Sequence, residues 1–203
     1  NQNPRIREKL NVVFLENYDV STAEILVPSA DISEQISLAG KEASGTGCMK
    51  LMMNGAITLG TYDGANVEIA EQVGPDNIFI FGATVEDLAR IQAEGSYNPR
   101  GIAESNPRLM HALNHLVDGS LPTSDGSRFE DLFYALCPDG GWGDPYYVML
   151  DFAPYDERFF DAIKAYQNRD RWLTSAVINT AKAGYFSSDR SIEDYNTHIW
   201  HLR

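Results

Sequence analysis

The sequence predicts an α/β fold in which a short parallel sheet with helices is followed by a mainly helical C-terminal half. Between residues 11 and 95, short β-branched or aromatic runs alternate with stretches of helical periodicity, which is typical of a parallel sheet. From residue 96 to residue 203, helical periodicity dominates. We therefore expect a single domain over 1–203, with an α/β part at 11–95 and a mainly helical part at 96–203.

The α/β part is predicted to begin with a buried strand over NVVFLEN, residues 11–17, because this run is β-branched and aromatic. STAEILV, 21–27, starts with Ser and Thr and predicts a short helix. We expect that helix to end before Pro28, since the residue before a proline disfavours helical backbone. TGCMKLMMNG, 46–55, predicts about two helical turns that stop at its terminal Asn-Gly. AITLG, 56–60, predicts a second buried strand.

The next elements continue the alternation. Asp63-Gly64 predicts a turn, and ANVEIAEQVG, 65–74, is an amphipathic helix with a terminal glycine. NIFIFG, 77–82, predicts a third strand. TVEDLARIQAEG, 84–95, predicts a helix capped by its first threonine, with two acidic residues in the first turn where the helix dipole favours them.

The second half carries helical patterns in four segments. These are RLMHALNHLVDG, FEDLFYALC, YDERFFDAIKAYQ and DRWLTSAVINTAKAG. YYVMLDF, 146–152, stands apart because it has the composition of a strand. A last helix is predicted in YFSSDRSIEDYNTHIW, capped by Ser188 or Asp189.

The composition argues against nucleic acid and membranes as partners. The net charge is −13, from 16 basic and 29 acidic residues, and no Lys/Arg-rich stretch stands out, so we expect no nucleic-acid partner. No apolar run reaches the length of a membrane span, so no membrane partner is expected. Cys48 and Cys137 lie far apart without CxxC or zinc spacing, which argues against a disulfide framework and for a reducing, cytoplasmic location.

The stretch GTGCMK, residues 45–50, is the clearest candidate for chemistry. If a helix begins near Thr46, its first N–H groups are unpaired and favour a phosphate, and the glycines allow close approach. Lys50 would follow about one turn later, so its amine could form a Schiff base with pyridoxal phosphate held by those amides. The motif fits neither the Walker nor the dinucleotide template. From these six residues alone, a turn before a helix with a solvated lysine remains the alternative.

The longer sequence around this lysine resembles the α-glucan phosphorylases, the family of glycogen, starch and maltodextrin phosphorylases. The resemblance runs through FLENYDVSTAEILVPSADISEQISLAGKEASGTGCMKLMMNGAITLGTYDGANVEIAE and NIFIFG, from residue 12 to about residue 88. It resumes at DPYYVMLDF and FSSDRSIEDYNTHIW and is weakest between about 91 and 143. The resemblance implies a GT-B glycosyltransferase fold with two lobes, of which this chain would be the C-terminal part of the second.

In activity, the resemblance implies phosphorolysis of α-1,4-glucan chains by inorganic phosphate, with release of glucose 1-phosphate. Lys50 would hold pyridoxal 5'-phosphate covalently and act in catalysis through it, because the family uses the cofactor's phosphate group for proton transfer. Gly45, Thr46 and Gly47 would cradle that phosphate. The parent protein would be a homodimer, and we expect this chain alone to be inactive and to bind the cofactor weakly at best.

The resemblance also assigns further contacts residue by residue. Glu42 would hydrogen-bond a glucose hydroxyl, and its backbone neighbours would line the same sugar pocket: Ala43, Ser44 and Gly45. On spacing alone, Glu42 would be an ordinary exposed loop carboxylate. Tyr18 and Val20 would lie beside the cofactor, although core packing is an alternative for Tyr18.

The sequence departs from the family pattern at two positions close to these residues. Cys48 replaces the asparagine of GTGNMK, and we expect it to fill a small apolar gap rather than react. Asp19 stands where some members carry arginine, which removes an anion contact. The family's basic residues for the two phosphates, and its histidine and asparagine contacts to glucose, would belong to segments before residue 1.

The remaining histidines and carboxylates that lie close together in sequence are interpreted as surface residues without a functional role. His111 and His115 are four residues apart on a predicted helix without a third ligand, so we expect surface histidines and no metal, and His198 and His201 receive the same interpretation. The carboxylates between 151 and 161 are interpreted as a solvated face.

Two other functions remain open at this point. One is a nucleotide-sugar glycosyltransferase domain without pyridoxal phosphate, which would bind a nucleotide. The other is a non-catalytic sugar- or phosphate-binding module.

Overall fold

The computed structural model describes residue 6, residues 8–121, residue 123 and residues 125–203. Its centre is a three-stranded parallel sheet in the order β1-β2-β3, which confirms the predicted α/β class. The strands are β1 (Ile32–Gln35), β2 (Ile57–Thr61) and β3 (Phe79–Phe81). All five residues of β2 are buried, as expected for a central strand covered on both faces.

Ten α-helices surround the sheet or follow it within the part of the chain that is described. They are α1 (Val20–Ser29), α2 (Gly47–Met53), α3 (Ala65–Val73), α4 (Val85–Glu94), α5 (Pro99–Ser105), α6 (Pro107–Asn114), α7 (Glu130–Leu136), α8 (Val148–Tyr166), α9 (Arg169–Lys182) and α10 (Ser188–Tyr195). Short 3₁₀ turns cover Pro75–Asn77 and Ala183–Phe186, and a π-helical turn covers Asn196–Trp200.

Several predicted elements have the expected ends. Helix α4 begins with a reciprocal cap, in which Thr84 accepts from the backbone of Asp87 and the Asp87 side chain accepts from Thr84 N–H. Helix α2 begins after Thr46, as predicted, and stops where Gly55 has a φ of +88°. Gly74 ends α3.

The predicted strand over 11–17 is wrong. This segment has no strand structure, and apolar side chains in it are exposed, Phe14 by 89% and Val13 by 70%. The first strand is instead β1, which the sequence analysis did not predict because its residues are mostly polar. β1 exists because it pairs with β2, Ile32 opposite Ile57.

Two further boundaries differ from the sequence-based prediction. Helix α1 continues through Pro28 to Ser29 and is capped by Asp19, whose carboxylate accepts from Thr22 N–H at 2.8 Å. The cap of α10 is Ser187 rather than Ser188 or Asp189.

The predicted strand at 146–152 is wrong because α8 begins there. The carboxylate of Asp144 accepts from the backbone N–H groups of Val148 at 2.9 Å and Met149 at 2.8 Å. Asp144 is buried, and it also accepts from the hydroxyl of Tyr97. These bonds satisfy helix-start donors that are otherwise unpaired, which outweighs the strand preference of the aromatic and β-branched residues.

The core consists of neighbouring apolar clusters. One joins α2, α3 and the segment before β3, through Cys48, Met52, Ala65, Ile69, Val73 and Ile78. A second joins α5, α6, α7 and α8, through Ala103, Leu109, Leu113, Phe133, Cys137 and Met149. A third joins the loop after β1 to α4 and the start of α8, through Leu38, Ala39, Leu88 and Tyr147. The first and third clusters therefore hold the two ends of the segment between β1 and α2.

Candidate functional site

The candidate site lies at the carboxyl edge of the sheet. Because β1 and β2 are parallel neighbours, the loops that follow them meet at this edge. A carboxylate oxygen of Asp63, from the loop after β2, accepts from the backbone N–H of Glu42 at 2.8 Å and of Lys41 at 3.2 Å. Ala65 N–H donates to the carbonyl of Ser44 at 3.0 Å. The two loops are therefore joined at several points.

The carboxylate of Asp63 is held in its charged form. Burial acts to raise its pKa, but backbone N–H groups of Glu42, Gly40, Gly64 and Lys41 outweigh this effect and hold the pKa below its ordinary value. Asp63 therefore remains an anionic acceptor at neutral pH, and it satisfies backbone donors of a loop that belongs to no helix or strand.

The side chain of Glu42 is exposed and lies next to two glycines, Gly45 and Gly64. The Ser37 hydroxyl donates to Glu42 Oε2 at 3.2 Å. A Cβ added to Gly45 would lie 3.6 Å from Glu42 Oε1, and one added to Gly64 would lie 2.9 Å from both Glu42 Cγ and the Ser44 carbonyl oxygen. Both glycines have positive φ, +75° and +51°. Glycine is therefore favoured at both positions, because the backbone has positive φ and a side chain would approach Glu42.

A cavity of about 40 Å³ lies beside this carboxylate. It is lined by Gln35, Ser37, Glu42, Ser44, Gly45, Cys48, Thr61, Asp63 and Asn66. This volume holds a water molecule, or one hydroxyl group of a larger ligand, but not a whole hexose ring. The lining is rich in hydrogen-bonding groups, so a polar group rather than an apolar one would fill it.

Helix α2, whose Cys48 lines this cavity, carries the candidate lysine. Lys50 is exposed on α2, and its backbone N–H donates to the Thr46 carbonyl at 3.2 Å. Gly47, the first residue of α2, has open space around it, since an added Cβ would meet nothing within 4 Å. Cys48 points into the core, and burial raises the pKa of its thiol. It therefore fills an apolar position rather than presenting a thiolate.

The predicted site residues are brought together only in part. Glu42, Ser44 and Gly45 line one cavity, whereas Ala43, Thr46, Gly47 and Lys50 follow along the same segment without lining it. Tyr18 and Val20 are 61% and 76% exposed at the start of α1, a helix that contacts α2.

Sequence reasoning missed the residues that support this cavity from the strands. Thr61 donates to the Ser37 carbonyl at 2.6 Å, and Asn66 donates to the Thr61 carbonyl at 3.0 Å. Asp63 was interpreted only as part of an Asp-Gly turn. The available signal was its position directly after a buried parallel strand, where side chains commonly face a site.

The histidines on α6 lie at its surface. The rings of His111 and His115 are 4.6 Å apart, and His115 Nδ1 lies 3.5 Å from a carboxylate oxygen of Asp118. Over the ranges that the structure describes, no cluster of three or more His, Cys, Asp or Glu side chains could hold a metal ion.

Within the same described ranges, no helix is both long and apolar enough to cross a membrane.

Comparison of the sequence with known proteins identifies the family of the chain. A family model described as carbohydrate phosphorylase matches residues 1–202. The chain belongs to the carbohydrate phosphorylase family. Among its relatives, the glycogen phosphorylase of Bacillus subtilis is 42% identical over 203 residues, and that of Chlamydia pneumoniae is 43% identical over 202 residues. The maltodextrin phosphorylase of Streptococcus pneumoniae is 45% identical over 204 residues.

These alignments cover this phosphorylase chain almost completely but the relatives only in part. They include 100%, 100% and 98% of this chain, but 25%, 24% and 26% of the relatives from B. subtilis, C. pneumoniae and S. pneumoniae. The chain thus spans about a quarter of the length of the curated relatives that it matches.

Proposed function

We propose that this chain is the C-terminal part of the second lobe of a GT-B α-glucan phosphorylase. The intact protein would use inorganic phosphate to release glucose 1-phosphate from α-1,4-glucan chains. Family membership supports the reaction class, and relatives are named for both glycogen and maltodextrin phosphorylase. The parent would be a cytoplasmic homodimer, and the two free, buried thiols of Cys48 and Cys137 fit a reducing compartment.

The observation that carries the proposal is the continuous segment from Glu42 to Lys50. At its beginning, Glu42 lies against a polar cavity, and at its end Lys50 presents an amine from α2. In the proposed reaction, Glu42 accepts a hydrogen bond from a glucose hydroxyl, and Ser44 and Gly45 line the same contact. A charged acceptor on a loop that is held by hydrogen bonds can orient the sugar.

The residues of α2 fit pyridoxal 5'-phosphate by the chemistry of their donors. Lys50 offers a primary amine for covalent attachment, and the open space around Gly47 leaves the backbone at the helix start accessible to a phosphate group. Gly45, Thr46 and Gly47 would contact that group through their backbone, with Tyr18 and Val20 beside the cofactor. When bound, the cofactor supplies a phosphate that titrates near neutrality and exchanges a proton with the substrate phosphate.

Two alternatives make different predictions. A nucleotide-sugar glycosyltransferase domain would bind a nucleotide and carry no label on Lys50. A sugar- or phosphate-binding module without catalysis would bind ligand in the intact protein but show no turnover. Family membership favours the phosphorylase over both.

The proposal is tested by mapping the cofactor in the full-length parent. Reduction with borohydride should fix a pyridoxyl group to Lys50, because this lysine follows the accessible start of α2. Lys41 is the matched internal control, since it is exposed in the loop between β1 and α2 and precedes the helix. Peptide mapping by mass spectrometry reads both sites. A label on Lys41, or an unlabelled Lys50 in active enzyme, would refute the assignment.

A further inference from the structure

We propose that Asp63 is a positioning residue that sets the Glu42 carboxylate for sugar binding. The inference deepens the proposed function and rests on it, because it assigns a role in the same site to a residue from a neighbouring strand. Although Asp63 also lines the cavity, its proposed role is exerted through the loop that carries Glu42 rather than through a contact with substrate.

The contacts of Asp63 converge on the backbone of this loop. One carboxylate oxygen accepts from both Lys41 and Glu42 N–H groups, at 3.2 and 2.8 Å, across 22 and 21 residues of sequence. These residues belong to no strand or helix. Lys41 N–H also donates to the Leu38 carbonyl at 3.0 Å in a local turn, whereas Glu42 N–H is held by the Asp63 carboxylate at 2.8 Å. Hydrogen bonds to a charged acceptor are stronger than those between neutral groups.

The exposed side chain of Glu42 also makes contacts of its own beside the cavity. Its carboxylate accepts from Ser37, and its Cγ lies where a side chain on Gly64 would stand. Gly64 directly follows Asp63, which means that one turn fixes both the backbone of Glu42 and the space for its side chain. If the Asp63 carboxylate is removed, the backbone N–H of Glu42 loses its acceptor, and the Glu42 carboxylate should move out of the cavity.

If Asp63 only stabilised the loop, its mutation would have different effects. Such a residue would lower stability and cofactor content without acting through Glu42 in particular. The two roles separate in a double-mutant cycle, because residues that act as a unit show non-additive effects on kinetics.

The experiment uses the full-length parent with its cofactor, and the variants are Asp63→Ala, Asp63→Asn, Glu42→Ala and the double variant. Glu42→Ala should lower kcat/KM for glucose 1-phosphate about tenfold or more, with cofactor content unchanged. Asp63→Ala should raise KM for glucose 1-phosphate about tenfold, with a smaller change in kcat. Asp63→Asn keeps an acceptor oxygen and should restore part of that loss. The double variant should be within about twofold of Glu42→Ala.

Asp118→Ala is the matched control. Asp118 also accepts a local backbone N–H, from Ser120 at 2.8 Å, and its pKa is lowered by the Ser120 side chain and backbone, but it lies in the loop after α6. This variant should leave KM unchanged. Melting temperature and cofactor absorbance are measured for every variant, so that loss of fold is recognised.

The outcomes separate the inference from the proposed function. Wild-type parent without phosphorolytic activity would refute the proposed function and the inference with it. Active wild type and impaired Glu42→Ala, together with normal KM in folded Asp63→Ala, would overturn the inference alone. Fully additive losses in the double variant would also overturn it. If Asp63→Ala does not fold, the same comparison is made with Asp63→Asn, where a KM equal to wild type is the contrary result.

Discussion

Gly64 links the conformation of a turn to the position of a functional side chain. Its φ of +51° is rarely adopted by residues with a side chain, and the space above it is already taken by Glu42 and the Ser44 carbonyl. Gly74 shares the positive φ, at +77°, but an added Cβ there would meet nothing within 4 Å. A substitution at Gly74 would therefore cause backbone strain alone, whereas one at Gly64 would cause backbone strain and a steric clash.

We predict that Gly64→Ala destabilises the chain more than Gly74→Ala does. Both changes should carry strain of about 1–3 kcal/mol, since each places a side chain at positive φ. Gly64→Ala should cost about 1–3 kcal/mol more, because the methyl group overlaps a backbone oxygen that cannot rotate away. Urea unfolding of the 203-residue chain measures both. Equal losses in free energy of unfolding would show that the loop yields to the added group.

The sequence predicts Glu42 and Lys50 as site residues, and these assignments stay predictions, whereas no sequence pattern pointed to Asp63. The motif and its neighbours carry the first two, because EASGTGCMK is continuous in sequence. Asp63 joins the site through hydrogen bonds across 21 and 22 residues, and no local pattern encodes that distance. Knowing that β1 and β2 are adjacent would have been enough to bring the two loops together, but β1 itself was not recognised.

The secondary-structure predictions failed where tertiary contacts decide the backbone. β1 is polar and was missed, and it forms because β2 offers it a partner. The run at 11–17 has strong strand propensity, yet it has no strand structure and exposes Phe14. By contrast, α4 was predicted with its cap, since Thr84 and Asp87 complete that cap locally.

Helix α9 is fastened to the turn before β3 by buried polar groups. The Ser175 hydroxyl donates to Asn77 Oδ1 at 2.8 Å, and Asn179 Nδ2 donates to the Asn77 carbonyl at 2.9 Å. Asn77 Nδ2 in turn donates to the Val73 carbonyl at 2.8 Å. All of these side chains are buried, so each bond replaces water that is excluded.

We predict that Ser175→Ala lowers the free energy of unfolding by about 1–3 kcal/mol, because it leaves the buried Asn77 Oδ1 without that donor. Thr174→Ala is the matched control on the same helix. The Thr174 hydroxyl donates to the Asp170 carbonyl at 2.7 Å but is exposed, so water can replace it, and the change should stay within about 0.5 kcal/mol. Thermal and urea unfolding measure both variants. Similar losses would argue against a special role for the buried bond.

Across the whole molecule, the surface that carries the cofactor candidates is open and poor in positive charge. Lys50, Tyr18 and Val20 are all exposed. Between residues 10 and 89, Lys41 and Lys50 are the only Lys or Arg residues, and the chain has a net charge of −13. A doubly charged phosphate beside such a surface lacks the cationic partners that phosphate sites normally provide.

The last prediction is that the 203-residue chain alone folds, binds pyridoxal 5'-phosphate weakly and does not catalyse phosphorolysis. Its buried central strand β2 and its apolar clusters support folding. Binding should be weak because a helix start contributes only about 1 kcal/mol, far below what retention through desalting requires. The test is to incubate the chain with cofactor, desalt it, record the cofactor absorbance and assay glucose 1-phosphate release from glycogen. Stoichiometric cofactor after desalting would contradict the binding prediction, and turnover near that of a full-length phosphorylase would show that these residues suffice for the reaction.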